Sequence, residues 1–81
     1  MLRGYHNAIK DMPHFQEHPH HAELMIKAAR THLIETSDMV PSIDDMQRVA
    51  AKFAELAASE GNHLSEEKLR ALAVKACSAL D

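Results

Sequence analysis

At 81 residues the chain is long enough for one domain, and its single cysteine, Cys77, excludes an intrachain disulfide framework and suits a reducing compartment. The formal charge of −3 is spread evenly, with four Lys/Arg against five Asp/Glu over residues 1–41 and five against seven over residues 42–81, so no basic half exists to neutralise nucleic-acid phosphates. No apolar run approaches the roughly 20 residues that span a bilayer, and MLRGYHNAIKDMPHF lacks the apolar stretch of a signal peptide, so a cytoplasmic protein bound to neither membrane nor nucleic acid is expected.

Leu2, Tyr5, Ala8, Ile9 and Met12 recur at helical spacing and predict a short first helix, weakened by Gly4 and ended by Pro13. Pro13 to Pro19 reads as an irregular stretch. Residues 20–36 predict the second helix, with Pro19 in its first turn, where a missing amide costs nothing, and His18 near the N-cap. Ala22, Met25, Ile26, Ala29 and Leu33 fall on one side of it, and Glu23, Lys27 and Arg30 on the other.

Ser37 to Pro41 is the next irregular stretch, with Met39 and Val40 expected to plug the core from below. The third helix has the clearest start: Ser42 can accept from the amide of Asp45, and Asp44 and Asp45 suit the positive first turn. Met46, Val49, Ala50, Phe53 and Ala57 form its apolar stripe, with Leu56 at the margin and Gly61 as the stop. The fourth helix opens at Ser65, where Leu64 and Leu69 have the spacing of a hydrophobic staple, and Leu69, Leu72, Ala73, Ala76 and Leu80 share one face. Few residues separate the last two helices. The expected fold is therefore all-α, a small three- or four-helix bundle with a C-terminal αα-hairpin, in one domain over residues 1–81. A domain of this size buries only about 60 to 65 per cent of its unfolded chain's surface, so a homodimer is the default expectation.

Chemistry concentrates at His14, His18, His20 and His21, four of the seven histidines. Imidazole is a ligand for zinc, copper and nickel, so these four residues are the candidate metal ligands and zinc the candidate ion. On a continuous helix His14, His18 and His21 would fall at about 0, 40 and 340 degrees, on one face and flanked by Glu17. Pro19 opposes that helix, because it lacks the amide that would bond the carbonyl of Phe15. A break near His18 is expected to disperse the triad into a loop anchored by Phe15. The plainer reading of the four histidines is then a solvated loop, and neither paired cysteines nor a His-Glu-x-x-His pattern accompanies them. Protonation of all seven histidines would carry the net charge from −3 to +4, so a pH-sensitive surface is the third reading.

The remaining features carry little chemistry. His32 and Glu35 could orient a proton, but the sequence places no nucleophile beside them. Cys77 is expected to pack like an alanine, with Lys75 as the nearby cation of a reactive alternative, and Met25 and Met46 are expected to fill core gaps. The segment LAASEGNHLSEEKLRALA lacks EF-hand ligands in register, with Ala57 first and Lys68 last. Glu66 and Glu67 at the start of a would-be recognition helix carry the wrong charge for DNA. The expected function is that of a small non-enzymatic helical protein that binds and modulates another protein, as an adaptor, regulator or inhibitor. The alternative is a metal- or pH-responsive module using the His14 to His21 cluster.

Overall fold

Two prolines and two serines set where four of the helices begin. In the computed structural model, which describes residues 2–61 and 64–80, α1 spans Leu2–Ile9, α2 Pro13–Glu17, α3 Pro19–Ser37, α4 Ile43–Glu60 and α5 Glu66–Ala76. A 3₁₀ turn at Cys77–Leu80 continues α5. The fold is all-α, and the described residues contain no strand.

The stretch after Pro13, expected to be irregular, is the short helix α2. Pro13 occupies its first turn just as Pro19 does in α3, so the fixed φ of proline that suits one helix start suits both. The carbonyl of Met12 accepts from the amides of Phe15 and Gln16 at 3.0 and 3.1 Å. Five residues are too few to sustain a helix alone. Burial of Phe15 against the core holds this one.

Helix α3 stops at Asp38, which takes the left-handed conformation at φ 51°. Its amide donates to the Ile34 carbonyl at 3.1 Å, the five-to-one closure of a left-handed cap with aspartate where glycine is usual, and the Met39 amide reaches the Leu33 carbonyl at 3.2 Å. Helix α4 opens with a full capping box: the Asp45 amide donates to Ser42 Oγ and the Ser42 amide to Asp45 Oδ2, each at 3.1 Å. It ends at Gly61, whose φ of 98° disfavours a side chain. Ser65 Oγ accepts from the Lys68 amide at 3.2 Å and starts α5.

The apolar stripes of the three long helices meet in one core, with Phe53, Met25, Ile26, Met46 and Val49 among its fully buried side chains. Helix α5 forms the expected hairpin with α4 and packs even more extensively along α3, while α1 crosses α4 and α3. Leu64 lies partly buried against the core, and Leu69 is buried, as a staple requires.

The linker between α3 and α4 departs from expectation. Met39 does pack on the core, but Val40 is 65% exposed, and the second plug is Pro41, which is fully buried. The Tyr5 hydroxyl donates to the Pro41 carbonyl and ties α1 to this linker. With Pro41 turned inward, the neighbouring Val40 faces outward.

Phe53→Ala removes the ring on which α2, α3 and α4 meet, so a loss of about 3–5 kcal/mol is expected. Ser42→Ala, which removes only a cap, is expected to cost about 1 kcal/mol. Urea unfolding followed by circular dichroism checks both, and equal losses for the two variants would contradict the placement of Phe53.

Candidate functional site

Pro19 cannot donate the amide that would carry α2 into α3, and the helix breaks at His18 as expected. His18, at φ −130° and ψ 71°, is both the C-cap of α2 and the N-cap of α3. The expected dispersal of the histidines does not follow. The His18 amide still donates to the His14 carbonyl at 2.9 Å, and the His21 amide donates to the His18 carbonyl at 3.0 Å. These bonds keep the i,i+4 and i,i+3 relations across the break, so three imidazoles stay on one side of the elbow.

Their rings form a compact triangle. The centres of His14 and His18 lie 5.0 Å apart, those of His14 and His21 5.1 Å, and those of His18 and His21 4.7 Å with the planes within 11° of parallel. His14 Nε2 and His21 Nδ1 share a hydrogen bond at 3.0 Å. One of these nitrogens must donate and the other accept, so the bond tolerates at most one imidazolium.

The triangle rests on an aromatic floor. Phe53 of α4 lies nearly perpendicular to both His14 and His21, at 5.8 and 6.1 Å, and stacks with Phe15 at 6.0 Å. A depression of 240 Å³ opens between the imidazoles and α4, lined by His14, Glu17, His18 and His21 on one side and by Ala57, Ala58, Gly61 and Leu64 on the other.

Burial is the main force holding the His14 imidazole below its ordinary pKa of 6.5. His18 lowers it further, and the Glu17 carboxylate pulls against both. His21 is lowered by burial first and then by His14, His18 and His20. The α4 wall adds no charged side chain to the depression, so these histidines and Glu17 set its electrostatics. Among the described residues no group of three or more His, Cys, Asp or Glu side chains could hold a metal ion; the three imidazoles are instead bonded and stacked on one another.

His20, the fourth candidate ligand, is not part of the triangle. It is exposed and lines a different depression with Glu23, Leu24, Lys27, Glu66 and Arg70. One residue of helix turns a side chain by about 100 degrees, which separates His20 from His21.

That second depression belongs to a longer groove between α3 and α5. It shares Leu24, Lys27 and Arg70 with a central depression of 420 Å³ that also holds Ala28, Thr31, His32, Glu35 and Val74. The central one in turn shares His32 and Val74 with a third depression, which reaches Ser37, Lys75, Cys77 and Ser78. From His20 to Ser37 the groove follows α3 for about 25 Å at 1.5 Å per residue. Leu24, Ala28 and Val74 supply its apolar part, and side chains of both charge signs rim it.

This pairing of α3 with α5 also brings together residues that the sequence kept apart. His32 and Cys77 border the same depression, although no nucleophile was expected near His32. The thiol is 6% exposed and donates to the Ala73 carbonyl at 3.4 Å, with the Ala29 carbonyl at 3.9 Å, so it packs in the core as expected. Lys75, on the groove rim, is the cation nearby in sequence. In the EF-hand register, residues 62 and 63 lie outside the described residues, and Lys68 at the last position pairs with Glu60 at 2.8 Å.

No protein-family model, no curated protein and no solved structure matches the chain.

The lowered imidazoles fix a sign. Well above 6.5 neither the folded nor the unfolded chain protonates His14 or His21 appreciably, and their contribution to stability is complete. As pH falls through 6.5, the unfolded chain takes up protons that the folded one resists, and stability is lost until the folded imidazoles titrate in turn. The melting temperature is expected to drop between about pH 7.5 and 5.5, above most carboxylate titration, and to drop less in a His14→Gln/His21→Gln variant. Superimposable pH profiles for the two proteins would contradict the burial of the cluster.

Proposed function

We propose that this protein is a small non-catalytic helical module that acts by binding another protein, and that the groove between α3 and α5 receives an amphipathic helix of the partner. The observation that carries this reading is the continuity of the groove. Three depressions share lining residues and extend along α3 for about 25 Å, the length of four to five helical turns. A docked helix would lay its apolar face over Leu24, Ala28 and Val74, the last of which is 39% exposed. Lys27, Arg70 and Lys75 on one hand, and Glu23, Glu35 and Glu66 on the other, would pair with charges of both signs on the partner's flanks. Such mixed rims favour choice of partner over raw affinity.

Catalysis receives less support. The His32 and Glu35 side chains border an open groove, and the Cys77 thiol beside it is buried and directed to backbone carbonyls.

A second reading, that the module responds to protons, is favoured by the His14–His21 hydrogen bond, which cannot survive protonation of both rings. The elbow would loosen on acidification, and α2 would be the segment that moves.

A photo-crosslinking side chain at position 74 is expected to give one discrete adduct with a different protein in cells that make this chain. The adduct should vanish when Ala28→Arg is added, while a probe at the exposed Ala51 on α4 should give none. An adduct of twice the chain's own mass would contradict the partner reading in favour of self-association. Equal adducts at positions 51 and 74, or indifference to Ala28→Arg, would contradict the groove.

A further inference from the structure

We infer that the helix received by the α3/α5 groove carries an acidic residue followed one turn later by a basic one, and that it docks antiparallel to both walls. The inference rests on the groove reading above and adds to it the partner's charge order and direction.

Helices α3 and α5 run parallel. His20 and Glu23 near the start of α3 share a depression with Glu66 and Arg70 of α5, while Thr36 and Ser37 at its end share another with Lys75 and Ser78. Both walls also repeat one pattern: Glu23 precedes Lys27 by four residues, and Glu66 precedes Arg70 by four. All four side chains line the same depression. The groove therefore presents a tier of two carboxylates and, about 6 Å further along at 1.5 Å per residue, a tier of two cations. Past Thr31 the walls no longer match, with Glu35 on α3 and Lys75 on α5.

The tiers are open to an outside partner. Arg70 meets Glu66 at 3.6 Å with the two side chains 63% and 75% exposed, and an exposed pair of that kind contributes little by itself. Among the described residues Glu23 and Lys27 belong to no ion pair. Lys27 and Arg70 stand on opposite walls and also border the central depression. A carboxylate entering between them gains one cation from each wall, and the Arg70 guanidinium can hold it through two parallel N–H donors. One turn along, a basic residue of the same helix falls over Glu23 and Glu66. Ala28 and Val74, just beyond the cations, receive its apolar face.

Direction follows from the helix dipoles. The groove end at His20 and Glu66 gathers the N-termini of both walls, and the C-terminal carbonyls of an antiparallel helix meet that partial positive charge with the opposite sign. The tiers then require acid before base in the partner's sequence, the order that also stabilises its own helix at i,i+4 spacing. A second copy of this chain would satisfy the tiers but not the groove. A two-fold axis midway between the tiers on α3 sets the second copy's Pro19, where its α3 begins, opposite Thr31, and leaves the groove from there to Ser37 empty.

Photo-crosslinking side chains at the exposed positions 20 and 78 of the full chain, in cells that make it, read the direction when the joined residues are mapped by mass spectrometry. The residue joined at position 20 is expected to lie C-terminal to the residue joined at position 78 in one helical segment, with Asp or Glu followed four residues later by Lys or Arg in its C-terminal half. Lys27→Glu and Arg70→Glu should each weaken the adduct at position 74 about tenfold, whereas Arg48→Glu, the same charge change on the exposed face of α4, should leave it unchanged. The opposite order of joined residues, a segment without the acid-base pair, or an adduct that ignores both reversals overturns the inference and leaves the groove reading standing. Absence of any adduct at position 74, or an adduct of the chain with itself, overturns both.

Discussion

Pro19 has no amide hydrogen, and much of the structure around the histidines follows from that missing atom. A helix running on from α2 would need it. The chain breaks at His18 instead, and because proline is well suited to a helix start, a new helix begins at once. The result is an elbow with a single residue at its corner. Phe15 on one arm stacks with Phe53, and His14 and His21, one on each arm, stand perpendicular to the same ring. Phe53 is thus the surface on which α2, α3 and α4 are brought into register.

The elbow has consequences for both packing and chemistry. An imidazole partly buried over an aromatic ring loses hydration, which disfavours its charged form and leaves a lone pair available for a hydrogen bond. The opposite wall contributes Ala57 and Ala58, small enough to leave a depression above the rings. On the other side of α3, buried Ala29, Ala73 and Ala76 belong to the core between α3 and α5, and the outer edges of these two helices form the long groove. Two different faces of α3 therefore carry the two candidate sites. His20 and His21, adjacent in sequence, are divided between them.

The parts of this structure written in local patterns were legible from the residues alone. Ser42 with Asp45 and Ser65 with Lys68 mark helix starts through bonds spanning a few residues, Gly61 marks a helix end through its positive φ, and the stripes from Ala22 to Leu33 and Met46 to Ala57 obey helical periodicity. What depends on tertiary contact was not. Five residues from Pro13 to Glu17 carry too little periodicity to announce a helix, and the tertiary contacts of Phe15 with the core and of His14 with Phe53 and His21 sustain it. The outward turn of Val40 follows from Pro41 being buried beside the Tyr5 hydroxyl, a contact across 36 positions. Likewise the meeting of His32 with Cys77 depends on how α5 lies along α3. For the histidines, Pro19 rightly signalled a break. The error lay in equating a broken helix with a dispersed triad, since backbone hydrogen bonds meet at His18 from both arms and the His14–His21 side-chain bond spans the corner.

The reading of the elbow as a proton-sensitive joint requires the imidazoles to sit over Phe53 in solution. Nuclear Overhauser contacts between the ring protons of Phe53 and those of His14 and His21, recorded near neutral pH, measure this directly. The account expects both histidines to show contacts to Phe53, alongside those from Phe15. Contacts from Phe15 alone, with the His14 and His21 rings in solvent, would contradict it.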